Sequence, residues 1–230
     1  MKNDDFFKKR RSGSKERKRE IRTPRPNSFL IVSEGSKTEP QYFEGLAEYI
    51  NIRYGQGVSV EKPMIDARGE GKGTVKLVEA ASKFANHARI VYSQKWVVFD
   101  KDDFSDFDEA VALAKQDDFR VAWSNSSFEY WLYLHFNYSE AALHRDEWEQ
   151  KLDELFKKRK TDPQGYRKSD QEIFDKVTAG GNLKRAVQNS ARIERLHRER
   201  GKNKMPSQCD PCTTVHHLIK ELEPWLDGLL

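Results

Sequence analysis

Apolar and polar positions follow one rhythm up to about residue 140 and another beyond it. Ser28 to Ser33 is an almost unbroken apolar run, the pattern of a strand buried on both faces. The Glu34-Gly35-Ser36 break ends it, and Thr38 to Ile50 then reads as a helix, with Pro40 in an early turn where a missing N–H costs little. Gly57 to Lys62 alternates as a second strand. A glycine-rich loop, Arg68 to Gly73, follows, and Thr74 caps a helix to about His87. Lys95 to Phe99 is predicted as the third strand, closing at Asp100, and Phe119 to Trp123 as the fourth, with a helix over Asp106 to Gln116 between them. Phe128 to Phe136 opens another helix. Strands alternating with helices imply right-handed crossovers and a mostly parallel, four-stranded sheet of Rossmann-like α/β type.

Beyond about Ser139 the strand pattern stops. Arg145 to Lys160, Ser169 to Thr178, Leu183 to Arg200 and Thr213 to Leu222 carry helical, charge-laced periodicity, and Gly180-Gly181 separates two of them. The expected organisation is a basic disordered tail over residues 1–26, an α/β core over 27–140, and a helical part over 141–230 packed on or beside that core.

Charge changes this picture only once it is located. The chain carries a formal +4, but residues 1–26 hold eleven Lys/Arg against four Asp/Glu, a net +7, so the remainder is 30 against 33, a net −3. The tail reads as a solvated leader; salt-sensitive contact with nucleic-acid phosphates is the sharper alternative. Apolar residues make up 37% of the chain, enough for a globular core, and no apolar run approaches the roughly 18 residues of a membrane span. The charged N-terminus lacks the apolar region of a secretory signal, and two cysteines make no disulfide framework, which together point to the cytoplasm.

The candidate chemistry is acidic. In a parallel sheet, ligands gather outside the carboxyl ends of the strands. Glu34 follows the first strand, Asp100 closes the third, and Ser124 to Glu129 follow the fourth. Asp100 and Asp102 stand two residues apart, so continued strand geometry projects both to the same side; Asp103 adds a third acid. Crowded like charges favour a cation among them, and all-oxygen donors suit Mg²⁺ or Mn²⁺ better than zinc. Lys37, at the helix start, is placed to meet a phosphate or a leaving group. Glu129 is placed to add a ligand or to act on a water. Singly, each of these signals is common in solvated turns and helix caps; their shared position at strand ends makes the catalytic reading the favoured one.

The motifs that carry these acids resemble a known family. Phe29-Leu30-Ile31-Val32-Ser33-Glu34-Gly35-Ser36-Lys37-Thr38-Glu39-Pro40-Gln41-Tyr42-Phe43 is similar to the opening motif of RloB-like proteins, and Val97 to Phe104 resembles their second. Ser124 to Phe136 resembles their third, and Pro211-Cys212-Thr213-Thr214-Val215 their C-terminal Pro-Ser-Thr-Thr-Val element. Ser126 stands where the family usually has proline, and Cys212 where serine is commoner. The resemblance implies a Toprim-like fold, with Glu34 as the Toprim glutamate and Asp100 and Asp102 as its paired aspartates. It also implies a bacterial anti-phage nuclease of abortive-infection or restriction-associated loci, cutting RNA (tRNA among the candidates) or DNA beside an ABC-type ATPase partner. The alternative is a non-catalytic Toprim-like sensor module that regulates such an ATPase.

Three further signals are set aside. Gly35-Ser36-Lys37-Thr38 superficially matches a P-loop, but Ser36 and Ile31 occupy the required glycine positions. Cys209-x-x-Cys212 followed by His216 and His217 invites a zinc reading, but one Cys pair is half a site, and Asp210 and Pro211 read as the cap and first position of a helix. His135, among Trp131, Tyr133 and Phe136, reads as a packed histidine rather than a base.

Overall fold

A computed structural model describes residues 23–34, 37–55, 57–61, 74–101, 105–201 and 204–230. The basic tail up to residue 22, the glycine-rich loop and the Asp102-Asp103-Phe104 segment lie outside the described residues. The buried apolar run forms β1 (Arg25–Ser33), three residues longer at its start than its apolar pattern. Helix α1 (Thr38–Tyr54) follows and stops at Gly55, whose φ of 60° lets its N–H turn back onto the Asn51 carbonyl at 2.9 Å. Then come β2 (Gly57–Glu61), α2 (Thr74–His87), β3 (Tyr92–Asp100), α3 (Phe107–Gln116), β4 (Arg120–Asn125) and α4 (Phe128–Leu134).

The sheet runs in the order β2-β1-β3-β4 with every pair parallel; Phe29 lies opposite Val58 on one flank of β1, and Val32 opposite Val97 on the other. From β1 the chain moves outward to β2, then returns to lay β3 against the opposite side of β1. The direction of winding therefore reverses between β1 and β3, and such a switch point opens a crevice at the strand carboxyl ends. On one side of the sheet α2 packs on α3, and Phe107 meets Phe99 and Trp123 edge-on. Tyr42 of α1 anchors another aromatic cluster, edge-on to Phe128 and Trp131 of α4 and to His135 beyond it.

The sheet has a fifth strand where four were expected. β5 (Cys212–Thr213) runs antiparallel to β4, with Thr213 opposite Ser124. Asp210 and Pro211 are not a helix cap and first position: the Asp210–Pro211 peptide is cis and leads into β5, and the last helix, α8 (Val215–Leu222), begins only after Thr214. The cause is the open edge of β4. Thr214 closes it twice, its Oγ1 accepting the Trp123 N–H at 2.9 Å and its own N–H donating to the Trp123 carbonyl at 2.8 Å. A two-residue strand has no periodicity to read.

The α-helices between α4 and β5 are α5 (Arg145–Arg159), α6 (Ile173–Gly180) and α7 (Leu183–Arg200). α5 and α7 pack on α4, α6 on α1, and α8 on both α7 and β4, so they share one hydrophobic core with the sheet. The α1–α6 approach is close at Gly45, where a Cβ would stand 2.8 Å from the Cβ of Phe174. α6 starts at Ile173 rather than Ser169, because Asp170 takes the Glu172 N–H at 3.0 Å and pairs with Lys176 at 2.7 Å, holding a turn ahead of the helix. Among the described residues, no helix is long and apolar enough to cross a membrane.

Candidate active site

Two strand ends meet at the switch point. The Glu34 N–H donates to the Val98 carbonyl at 2.9 Å, fixing the first residue after β1 against β3. Asp100 ends β3, one residue beyond Phe99; because side chains alternate across a strand, it points away from α3. There its Oδ2 accepts the Phe128 N–H, the first of α4, at 2.9 Å. Its Oδ1 is buried with no hydrogen-bond partner among the described residues.

Helix starts bring further acids to the same place. Glu39 is the second residue of α1 and Glu129 the second of α4. Glu129 is only 4% exposed, and its Oε1 accepts the Tyr166 hydroxyl at 2.8 Å. That tyrosine, from the segment between α5 and α6, lies 3.2 Å from Thr38 Oγ1, which also reaches the Lys168 carbonyl at 3.1 Å. The returning segment thus ties the starts of α1 and α4 together. Asp106, just before α3, accepts the Val75 N–H at 3.1 Å and contributes its field to Glu34.

Burial and mutual repulsion set the proton affinities. Burial first, then the Glu39 and Asp106 charges, push the Glu34 carboxyl up to about 7, although the Asp100 backbone N–H pulls it back. Glu39 is also raised to about 7 by burial and by Glu129, with hydrogen bonding to its own backbone and Asp100, and the Lys168 charge, opposing. Asp100 lies well above its usual range because it is buried and faces Glu39, Glu129 and Glu34; the Phe128 N–H only partly offsets this. Burial and the Glu129 charge likewise raise the Tyr166 hydroxyl. These carboxyls therefore lose their protons only at higher pH than free ones, or when positive charge arrives.

Of the residues singled out from sequence, Glu34, Asp100 and Glu129 therefore gather at one sheet edge. Lys37 is exposed at the start of α1, on the rim. Asp102 lies outside the described residues. Glu39, Asp106, Tyr166 and Lys168 were not anticipated. Glu39 lies inside the same motif as Glu34 and was readable as a fifth-position acid, whereas Tyr166 and Lys168 arrive only through tertiary packing.

A hard divalent ion fits this set: the donors are carboxylate oxygens, and the partnerless, buried Asp100 Oδ1 is the kind of atom that such an ion satisfies. Among the described residues, the one trio of ligand atoms lying within 4.8 Å of each other is elsewhere, at Glu194, His216 and His217. No three of the described sheet-edge acids bring their ligand atoms that close together.

The family model for RloB-like protein matches residues 29–222, from the second half of β1 to the end of α8. The chain belongs to the RloB-like proteins. No curated protein and no solved structure matches it. The matched region of this RloB-like chain includes each of the acids described and Tyr166, as well as β5. Cys209 and Cys212 of this RloB-like chain are free, and burial raises the Cys212 thiol. His135 is a core histidine: its Nδ1 lies 3.1 Å from the Trp131 carbonyl and its Nε2 3.3 Å from the Tyr42 hydroxyl.

Proposed function

We propose that the β1–β3 switch point is the centre of a metal-dependent nuclease that hydrolyses phosphodiester bonds in nucleic acid. The observation carrying this reading is Asp100: a buried carboxylate at a strand carboxyl end, one oxygen anchored and the other without a hydrogen-bond partner among the described residues, surrounded by Glu34, Glu39 and Glu129. Like-charged groups buried together oppose stability, which favours a functional reason for them.

Glu34, Asp100 and Asp102 would hold Mg²⁺ or Mn²⁺, which supplies neutralisation of phosphate oxygens and an activated water. The protein's own groups do the rest. Oδ2 of Asp100 is held by the Phe128 N–H, so Oδ1 keeps one direction toward the crevice. Glu129, fixed by Tyr166, is positioned to accept a proton from an attacking water, and Lys37 on the rim offers charge to the phosphate or the leaving oxygen. Glu34, at the end of β1, would serve as ligand or, where it does not bind the ion, as general acid or base. The family likeness supports a role in anti-phage defence with an ABC-type ATPase partner.

The test is incubation of the purified chain with plasmid DNA, single-stranded RNA and total tRNA, with and without Mg²⁺ or Mn²⁺, followed by sequencing of the new ends. Cleavage lost in Asp100→Asn and Glu34→Gln, with native circular dichroism, is expected. Equal cleavage by those variants would sink the proposal. No cleavage with any substrate, coupled to a change in ATPase activity of the partner, would favour the sensor reading.

A further inference from the structure

Where α8 packs on α7, two adjacent histidines converge on one glutamate. His216 and His217 open α8, their rings tilted by 34° with centroids 4.1 Å apart. Glu194 comes from the middle of α7. Its Oε2 lies 3.3 Å from His216 Nε2 and 3.1 Å from His217 Nε2, while its Oε1 lies 3.2 Å from His217 Nε2 and pairs with Arg198 at 3.4 Å. Sequence spacing had suggested these histidines only as companions of the Cys209–Cys212 pair.

The hydrogen bonds around His216 limit what its Nε2 can be. Ser190 Oγ has one proton and lies 2.6 Å from the Thr213 carbonyl, which can only accept. The same oxygen is 2.7 Å from His216 Nδ1, so the proton of that second bond comes from the imidazole. With Nδ1 as donor, Nε2 of the neutral ring is a lone pair aimed at a carboxylate oxygen. His216 is 1% exposed, so water does not resolve the clash. A proton on the ring or on the carboxylate does, and so does a metal cation held between them. An imidazole fixed by a hydroxyl and a carbonyl behind it is also how metal-bound histidines are oriented.

We propose that Glu194, His216 and His217 form a second metal site of the chain, one that takes Zn²⁺. Two imidazole nitrogens and one carboxylate match zinc's donor preference rather than that of magnesium. Bonds of about 2.0–2.1 Å at tetrahedral angles put neighbouring ligand atoms about 3.3 Å apart, close to the observed nitrogen-to-oxygen separations. Three protein ligands leave a fourth position, and it is reachable: the His217 side chain is 44% exposed and, with Glu194, lines a groove of 510 Å³ also walled by Trp96, Arg120 and Trp123. An open position distinguishes this site from a closed structural zinc. It does not rest on the nuclease reading.

The test is calorimetric titration of the chelator-stripped full chain with Zn²⁺, and with Co²⁺ monitored by visible absorption. Zn²⁺ binding with tetrahedral cobalt bands and no thiolate charge-transfer band is expected. His217→Ala, at a solvent-facing position, should weaken it at least about tenfold, and Ser190→Ala about 10- to 100-fold through loss of ring orientation. Asp100→Asn should leave it unchanged, which separates this site from the sheet-edge acids. Unaltered affinity in His217→Ala, a thiolate band, or no Zn²⁺ binding by the natively folded chain would each overturn the assignment.

Discussion

Asp100 and Phe128 join the end of β3 to the start of α4 by one hydrogen bond: the Phe128 N–H reaches Asp100 Oδ2 at 2.9 Å, and Oδ1 is buried with no hydrogen-bond partner among the described residues. The bond orients the side chain without relieving its charge. A residue held this way is tuned for a ligand rather than for stability.

Asp100→Asn should therefore stabilise the metal-free chain while abolishing its response to Mg²⁺. The amide oxygen still accepts from Phe128, and the amide nitrogen donates toward neighbouring carboxylates in place of a repelled charge. A gain of about 1–2 kcal/mol is expected, in line with trade-offs between stability and function. Urea titration with and without Mg²⁺ measures both effects; a destabilised variant that retains the Mg²⁺ shift would contradict this account.

Glu34 and Glu39 give the metal-free chain an unusual pH dependence. Both carboxyls rise from an ordinary value of 4.5 to about 7 on folding. Between those values the folded chain keeps protons that the unfolded chain has lost, so their contribution is complete below about 4.5 and disappears as the pH rises through about 7. Each carboxyl accounts for up to about 3 kcal/mol. Melting temperatures in chelator should fall across this window, and Mg²⁺ should recover the loss at its upper end. A flat profile in chelator would refute the clustering.

Tyr166→Phe removes the hydroxyl bound to Glu129 and leaves a buried acceptor unsatisfied, at a cost of about 1–3 kcal/mol. Denaturant midpoints read the cost directly. The same variant should reduce cleavage if Glu129 handles the water's proton, whereas Tyr133→Phe, one turn further along α4 and packed against Trp148, should not. Wild-type stability in Tyr166→Phe would mean that the segment between α5 and α6 does not brace the site.

How far the sequence announces this arrangement depends on the range of the forces. The α2 and α7 extents, Thr74–His87 and Leu183–Arg200, follow from periodicity, and β1 and β3 from apolar runs. The Asn182 side chain caps α7 by taking the Arg185 N–H, whereas Thr74 is the first residue of α2 rather than its cap, its hydroxyl without a hydrogen-bond partner among the described residues. Glu34 and Asp100 are legible because strand ends in a parallel sheet are special places whatever the sequence around them. Glu39 is obscured because an acid in a first helical turn is ordinarily only a favourable partner of the helix dipole. Tyr166, at 128 residues from Thr38, and Glu194, far from His216 and His217, join their sites through helix packing, which leaves no local trace. β5 exists because β4 has an edge to close, a need that Cys212 and Thr213 do not display by themselves.

His135 provides the counterpart to the acids. Burial lowers it from 6.5 to about 4, the carbonyls of Trp131 and Leu132 notwithstanding. The folded chain thus lacks a proton that the unfolded chain binds in this range, so its contribution is complete above about 6.5 and vanishes as the pH falls through about 4. Across the overlap it opposes Glu34, Glu39 and Asp100: one histidine gains as the pH rises while several carboxyls lose. His135→Gln should leave the carboxyls unopposed and steepen the decline of metal-free stability with rising pH, whereas Asp100→Asn should flatten it. The shapes of the two curves decide the matter independently of absolute stability, because any packing defect at position 135 displaces its curve without changing its slope. A His135→Gln profile parallel to wild type would mean that this imidazole is not held neutral by the core.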